Sequence, residues 1–310
     1  MMMKTNGERQ RLENVYWMAR YAERALLTLN VAQNYLGYGL EASEENWSSC
    51  WERIKKGLRI SRCPADFSGK IACCFFFLVF DPDNSLSAFS SLFSARENAK
   101  VLRDWLPLAL WEELNSAYFL ISSTTASSSN LPSSLYPFLR NILERLLLIR
   151  QWEDYLLEED CLWAWLKIGE SLEKVGNGAA FFSAYHPADN KDPFPFEEWE
   201  AFLSSLFLLD LVKKKIPLHE LSFEKIASYM FELSLYSYSF PSQLNKILHY
   251  MELLSGQWAM ETAQAKTNEL LTKVLERAKE GFGAESTKKL FLDIQIECNQ
   301  IHQYLLSALD

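Results

Sequence analysis

The sequence predicts an all-α protein: a large helical bundle of two related halves plus a C-terminal helical hairpin. Three observations predict it. Glycine is scarce, with 11 in 310 residues. Apolar residues recur every three or four positions rather than every two, and helix start and stop signals fall between the stripes. Leu12, Val15, Tyr16, Ala19, Ala22 and Leu26 form the first stripe. Met260, Ala263, Thr267, Leu270, Val274 and Ala278 form another, ended by Gly281 and Gly283. Leu290, Ile294, Cys298, Ile301, Leu305 and Ala308 form the last, so the final two helices read as an antiparallel hairpin. Pro107 and Pro195 fit first-turn positions, and Ser222 fits an N-cap before Phe223–Leu235. The apolar run Phe75–Val79 looks strand-like, but in so helical a chain it reads as a helix buried on most sides. Gly176 and Gly178 read as helix terminators.

Two stretches break the pattern. Ser122–Ser134 is too rich in serine to pack and reads as a surface loop, and the three prolines of Tyr185–Phe196 forbid a single helix. An internal repeat organises the rest. Trp17–Ala25 shares its apolar and charged layout with Lys167–Val175, Glu23 matching Glu173 at 173 − 23 = 150. Glu44-Glu45-Asn46-Trp47 matches Phe196-Glu197-Glu198-Trp199 at 199 − 47 = 152, and Asn84-Ser85-Leu86 matches Pro241–Leu244 at 244 − 86 = 158. The division is then a first helical half at 8–120, a serine-rich loop at 121–134, a divergent second half at 135–256 and the hairpin at 257–310.

Bulk composition excludes several function classes. Apolar residues at 49% and charged residues at 23% are ordinary for a globular chain. A net charge of −9 repels phosphate backbones and anionic lipid, so neither nucleic acid nor membrane is an expected partner. The short basic run Lys213–Lys215 reads as a solvated helix end. The 6 cysteines show no C-x-x-C pair and no zinc spacing, which suits a reducing cytoplasm. No apolar run approaches the ~20 residues that span a bilayer, and the first residues lack a signal-peptide core. Phosphate-loop, dinucleotide, H-E-x-x-H and G-x-S-x-G motifs are absent, so no cofactor, no metal and no recognised catalytic apparatus is expected.

One polar constellation stands out. Arg20, Glu23 and Arg24 lie at i, i+3 and i+4 beside the first apolar stripe, at the edge of the core. The comparable group is Arg96, Glu97 and Asn98, with Arg103, Glu112 and Asn115 beyond. One reading is an inter-helix network, Glu23 pairing with Arg96 and Arg20 or Arg24 with Glu97, because planar guanidinium and carboxylate groups bond bidentately. The other is an anion- or carboxylate-binding site lined by arginines. A glutamate facing an arginine makes a poor base near neutrality, which counts against acid–base catalysis there.

Four stretches in order, N14-VYWMARYAER-A25, F77-LVFDPD-N84, S94-AREN-A99 and L110-WEEL-N115, resemble the bacterial alpha-E family, named for an amino-terminal E-R motif. The resemblance covers nearly the whole chain. A second family motif survives only as W163-AWLKIGESLEK-V175. The family pattern implies arginine at Glu159, Glu170 and Lys174, and two of these have reversed charge, which counts against a function needing arginines from both halves. Such proteins accompany circularly permuted ATP-grasp proteins and transglutaminase-like proteases, which implies a part in making or modifying peptide-like amides. The expected role is a non-catalytic partner or scaffold for an ATP-grasp amide ligase. The alternative is a small-ligand binder or enzyme using the Arg20/Glu23/Arg24 and Arg96/Glu97 cluster.

Overall fold

The computed structural model describes residues 6–64, 70–124, 134–189, 194–217, 220–232, 238–282 and 284–309. Most of the serine-rich stretch and part of the proline-rich one, as well as Gly283, lie outside the described residues. Among those described, every regular element is helical. The first six helices are α1 Asn6–Glu41, α2 Glu44–Gly57, α3 Ile71–Val79, α4 Ala88–Val101, α5 Leu108–Ser122 and α6 Leu135–Leu156. Then come α7 Cys161–Ala184, α8 Phe196–Ser205, α9 Leu209–Lys215, α10 Phe223–Phe231, α11 Phe240–Leu254, α12 Glu261–Glu280 and α13 Ala284–Leu309, with a 3-10 turn at Pro187–Asp189. The apolar run Phe75–Val79 is the core-facing body of α3, with Phe75, Phe77, Leu78 and Val79 buried.

Helix starts follow local side-chain chemistry. Ser43, Ser87, Asp160, Ser222 and Ser239 each accept a bond from the backbone N–H three residues on, satisfying a donor that the helix leaves open. Pro107 and Pro195 sit at the N-cap, one residue before the first turn. Gly281 ends α12 at φ 86, in the left-handed region, as its stop signal predicts. Lys213, Lys214 and Lys215 are exposed in the last turn of α9.

Gly176 and Gly178 are a correction. They do not end a helix, because α7 continues through them to Ala184. A Cβ on Gly178 would stand 3.1 Å from Met230 and 3.2 Å from Phe240, so the missing side chain lets α10 and α11 close on α7.

Several helix starts recur at a similar spacing. Helices α2, α4 and α5 begin at 44, 88 and 108, and α8, α11 and α12 at 196, 240 and 261, offsets of 152, 152 and 153 (196 − 44, 240 − 88, 261 − 108). The capping serines Ser87 and Ser239 stand 239 − 87 = 152 apart as well. The duplication that this order supports is a proposal.

The chain divides into two compact units. The first comprises residues 1–20, 158–192 and 211–310, and the second 21–157 and 193–210. In the first unit α7 packs against α11 and α13, and α12 closes on α11 and α13. Phe291 centres its aromatic core, with Phe182 at 5.6 Å, Phe231 at 5.8 Å and Phe240 at 6.2 Å between ring centroids. In the second unit α5 packs against α4 and α6. Trp47, Trp51, Phe75 and Phe77 interlock where α2 meets α3, a packing role for two of the tryptophans.

Helix α7 is buried on nearly every side, so its neighbours approach closely. At Gly169 the approach is limiting: a Cβ there would stand 2.7 Å from the carbonyl oxygen of Tyr16 on α1. Gly169→Val recovers less than about 0.5 kcal/mol of helix propensity and incurs roughly 1–3 kcal/mol of overpacking. A net loss of stability is the expected result in urea unfolding at constant m-value. An unchanged midpoint would contradict the close crossing.

Candidate functional site

The E-R motif sits on α1, and its charges find partners far along the chain. In the first unit, Arg20 forks onto Glu173 of α7, Nε donating to Oε2 at 2.9 Å with Nη2 at 2.8 Å from the same oxygen. The Glu173 carboxylate is fully buried. Arg20 Nη1 also donates to the Tyr16 hydroxyl at 3.2 Å, and that hydroxyl lies 2.8 Å from Nδ1 of His302 on α13. An arginine can only donate, so the phenol hydrogen is left for Nδ1, which then accepts as a neutral imidazole. Burial pushes the Tyr16 pKa up to about 12. Burial, and then the charge of Arg20, push His302 down to about 4 against the pull of Glu173.

In the second unit, Glu23 pairs with Arg150 of α6, not with Arg96. Arg96 instead donates to Asn115 Oδ1 and Glu97 Oε1, both at 2.7 Å, and Glu97 also meets Lys100 at 3.5 Å. The guanidinium of Arg96 lies 5.1 Å from the Tyr118 ring centre and 5.6 Å from that of Trp111. Asn98 donates to its own helix, at the Ser94 carbonyl, 2.7 Å away. The expected pairings Glu23–Arg96 and Arg20 or Arg24 with Glu97 are therefore replaced. Arg96 and Glu97 are neighbours on α4 and satisfy each other, while Glu23 and Arg20 face helices that sequence spacing does not point to.

Arg24 has a different setting. Its guanidinium lies 5.4 Å from the centre of the Tyr21 ring, and both residues line a groove of about 590 Å³ in the second unit. Phe89 and Phe93 of α4 and Tyr118 of α5 form the apolar wall, with ring centroids 6.0 Å apart in both pairs with Tyr118. Ser90 and Ser94 add hydroxyls on the same stretch of α4. The groove is thus a mixed surface holding one cationic group, of a size suited to a small ligand or a chain end. The loop before α4 forms its lip. Asn84 donates to the Phe77 carbonyl at 2.9 Å and accepts from Leu86 N–H at 3.0 Å, which shapes the Asp81–Asn84 turn.

Sequence reasoning missed a further charged group. Glu198, fully buried, accepts from Arg53 at two positions, both 2.7 Å, and from the Tyr38 hydroxyl at 3.3 Å. Burial and then the charge of Glu198 raise the Tyr38 pKa. In the eroded second motif, Glu170 lies 3.4 Å from Lys167 and 3.8 Å from Lys174 along α7, so two of the positions where arginine is expected, 170 and 174, carry opposite charges that meet each other. Arg150 had a signal in the sequence: it stands between Leu146 and Glu153 on the buried stripe of α6. Among the described residues no group of three or more His, Cys, Asp or Glu side chains could hold a metal ion, and no described helix is long and apolar enough to cross a membrane.

Two outcomes follow from these pairs. Glu173→Gln leaves the buried Arg20 charge without its counter-charge and should cost roughly 3–5 kcal/mol, whereas replacing both partners by Met and Leu should cost far less. Chemical denaturation of the three proteins checks this, and equal losses in single and double variants would refute the pairing. His302 supplies the second. Its unfolded form takes up a proton near the usual 6.5 and its folded form only near 4, so the unfolded state binds more protons between these values. Melting temperature should therefore fall as pH drops through that window, and His302→Gln should lose that component of the fall.

The Alpha-E family model, described as a predicted alpha-helical domain with a conserved ER motif, matches residues 10–308. No curated protein and no solved structure matches the chain. With the match covering nearly the whole sequence and Glu23-Arg24 in place on α1, the chain belongs to the Alpha-E family.

Proposed function

We propose that this Alpha-E protein is a non-catalytic partner or scaffold for an ATP-grasp amide ligase, acting in the synthesis or modification of a peptide. The observation that carries the reading is the fate of the motif carboxylates. Glu23 and Glu173 are each committed to an arginine from another helix, which removes them from acid–base work and makes them part of the packing. Helix surfaces and the Arg24 groove are then what the protein offers to others. A transglutaminase-like protein is a second partner of the same kind, and the cytoplasm is the compartment in which such partners and free thiols coexist.

A second reading is favoured by the groove itself: a small-ligand binder centred on Arg24. It differs from a site built on the whole cluster, because Arg20 and Glu23 are engaged elsewhere and Arg96 backs the groove through Tyr118.

Co-purification of the tagged chain with a circularly permuted ATP-grasp ligase, with and without ATP, tests the first reading. A stoichiometric complex is expected. Failure to associate under either condition removes the partner role.

A further inference from the structure

We propose that a further cavity of the second unit binds a free amino acid with an apolar side chain, its ammonium group on Asp81 and its carboxylate on Arg62. The cavity measures about 460 Å³. It is lined by the chain that follows α2, at Ile60–Pro64, and by the stretch from Phe77 of α3 to Leu86. The inference goes beyond the partner role and does not depend on it.

The carboxylate of Asp81 carries the proposal. Asp81 is only 8% exposed, and it lines the cavity. Its Oδ1 accepts the Asp83 backbone N–H at 2.9 Å. Among the described residues nothing bonds to Oδ2, and no cation forms an ion pair with the group. Buried carboxylates elsewhere behave otherwise: Glu23, Glu173 and Glu198 each hold an arginine. A buried carboxylate served by one N–H has lost hydration that the protein does not return, so a cation from outside completes the site.

The walls select the kind of cation. A bare ion does not fill a cavity of this size, and among the described residues no group of three ligating side chains could hold a metal. An ammonium group brings three N–H donors, enough for Asp81 and for the hydroxyls of Ser61 and Ser85 on the same walls. Asn84 is committed elsewhere, donating to the Phe77 carbonyl and accepting from Leu86 N–H, which fixes the loop that bears Asp81. Burial pushes the Cys63 thiol up, so it lines the cavity as a neutral group. The charges on the lining are then Asp81, Asp83 and Arg62. Arg62 is exposed and has no ion-pair partner among the described residues, and its planar fork suits a carboxylate. A molecule carrying both an ammonium and a carboxylate answers Asp81 and Arg62 together, while Pro64, Phe77 and Leu86 offer apolar contact to its side chain.

Isothermal titration calorimetry on the full chain at neutral pH tests this with L-leucine and L-phenylalanine. The N-acetyl and amide derivatives of each are measured beside them. The amino acid should bind at least about tenfold more tightly than either derivative, the worth of one hydrogen bond to a charged group. Asp81→Asn keeps an Oδ1 acceptor for the Asp83 N–H and removes the charge, so it should abolish the preference over the N-acetyl form. Arg62→Gln, at an exposed position, should abolish the preference over the amide. No binding of either amino acid, an N-acetyl form that binds equally well, or a preference that survives Asp81→Asn would overturn the proposal. So would an amide that binds as tightly as the acid, since the occupant would then be a simple amine or the amino end of a chain. Should Asp81→Asn fail to fold, the comparison of the three ligand forms on the unchanged protein and the Arg62→Gln result still decide.

Discussion

A buried guanidinium–carboxylate pair, Arg20 with Glu173, governs how α1 and α7 meet in the first unit. Helix α7 is buried on nearly all sides, and a carboxylate there is tolerated only with a counter-charge at hand. That counter-charge comes from α1, which can reach it because Gly169 admits the Tyr16 carbonyl so closely. The same arginine fixes the Tyr16 hydroxyl, and through it His302 of α13, so one pair ties three helices together. Its worth is in register more than in net stability. Sliding α1 by one turn along α7 would strand both charges.

The second unit repeats the device with other residues. Glu23 takes Arg150 from α6, and Glu198 of α8 takes Arg53 from α2. In each case a buried carboxylate is met by an arginine, the cation whose planar fork best replaces lost hydration. Against that background Arg24 differs from its neighbours on α1. It lies against the Tyr21 ring and lines the groove walled by Phe89, Phe93 and Tyr118.

Much of the fold was legible in the sequence because local rules wrote it. The stripes of α1, α12 and α13, the Ser222 cap and the Gly281 stop each depend on residues a few positions apart, and Phe75–Val79 was recoverable from the helical context around it. The glycines of α7 misled, since glycine serves close packing as well as helix ends, and only the helices opposite distinguish the two uses. In the candidate site, spacing identified Arg20, Glu23 and Arg24 as a group. The stripe of α6 marks Arg150 as a charge at the core, but spacing could not pair it with Glu23, or Glu173 with Arg20, because ion pairs between distant helices leave no periodic trace. Arg96 and Glu97 stood out as the group comparable to the first motif, but adjacent residues of opposite charge satisfied one another first.

The central claim is that the motif glutamate belongs to the packing, paired with Arg150. A double-mutant cycle on Glu23 and Arg150, read as unfolding free energy, tests it most directly. Glu23→Gln, Arg150→Met and the double variant should be non-additive by roughly 0.5–3 kcal/mol, with the double variant more stable than the sum of the two losses implies. Additivity within about 0.5 kcal/mol would mean that the two side chains do not depend on each other, and the structural account of the motif would fail.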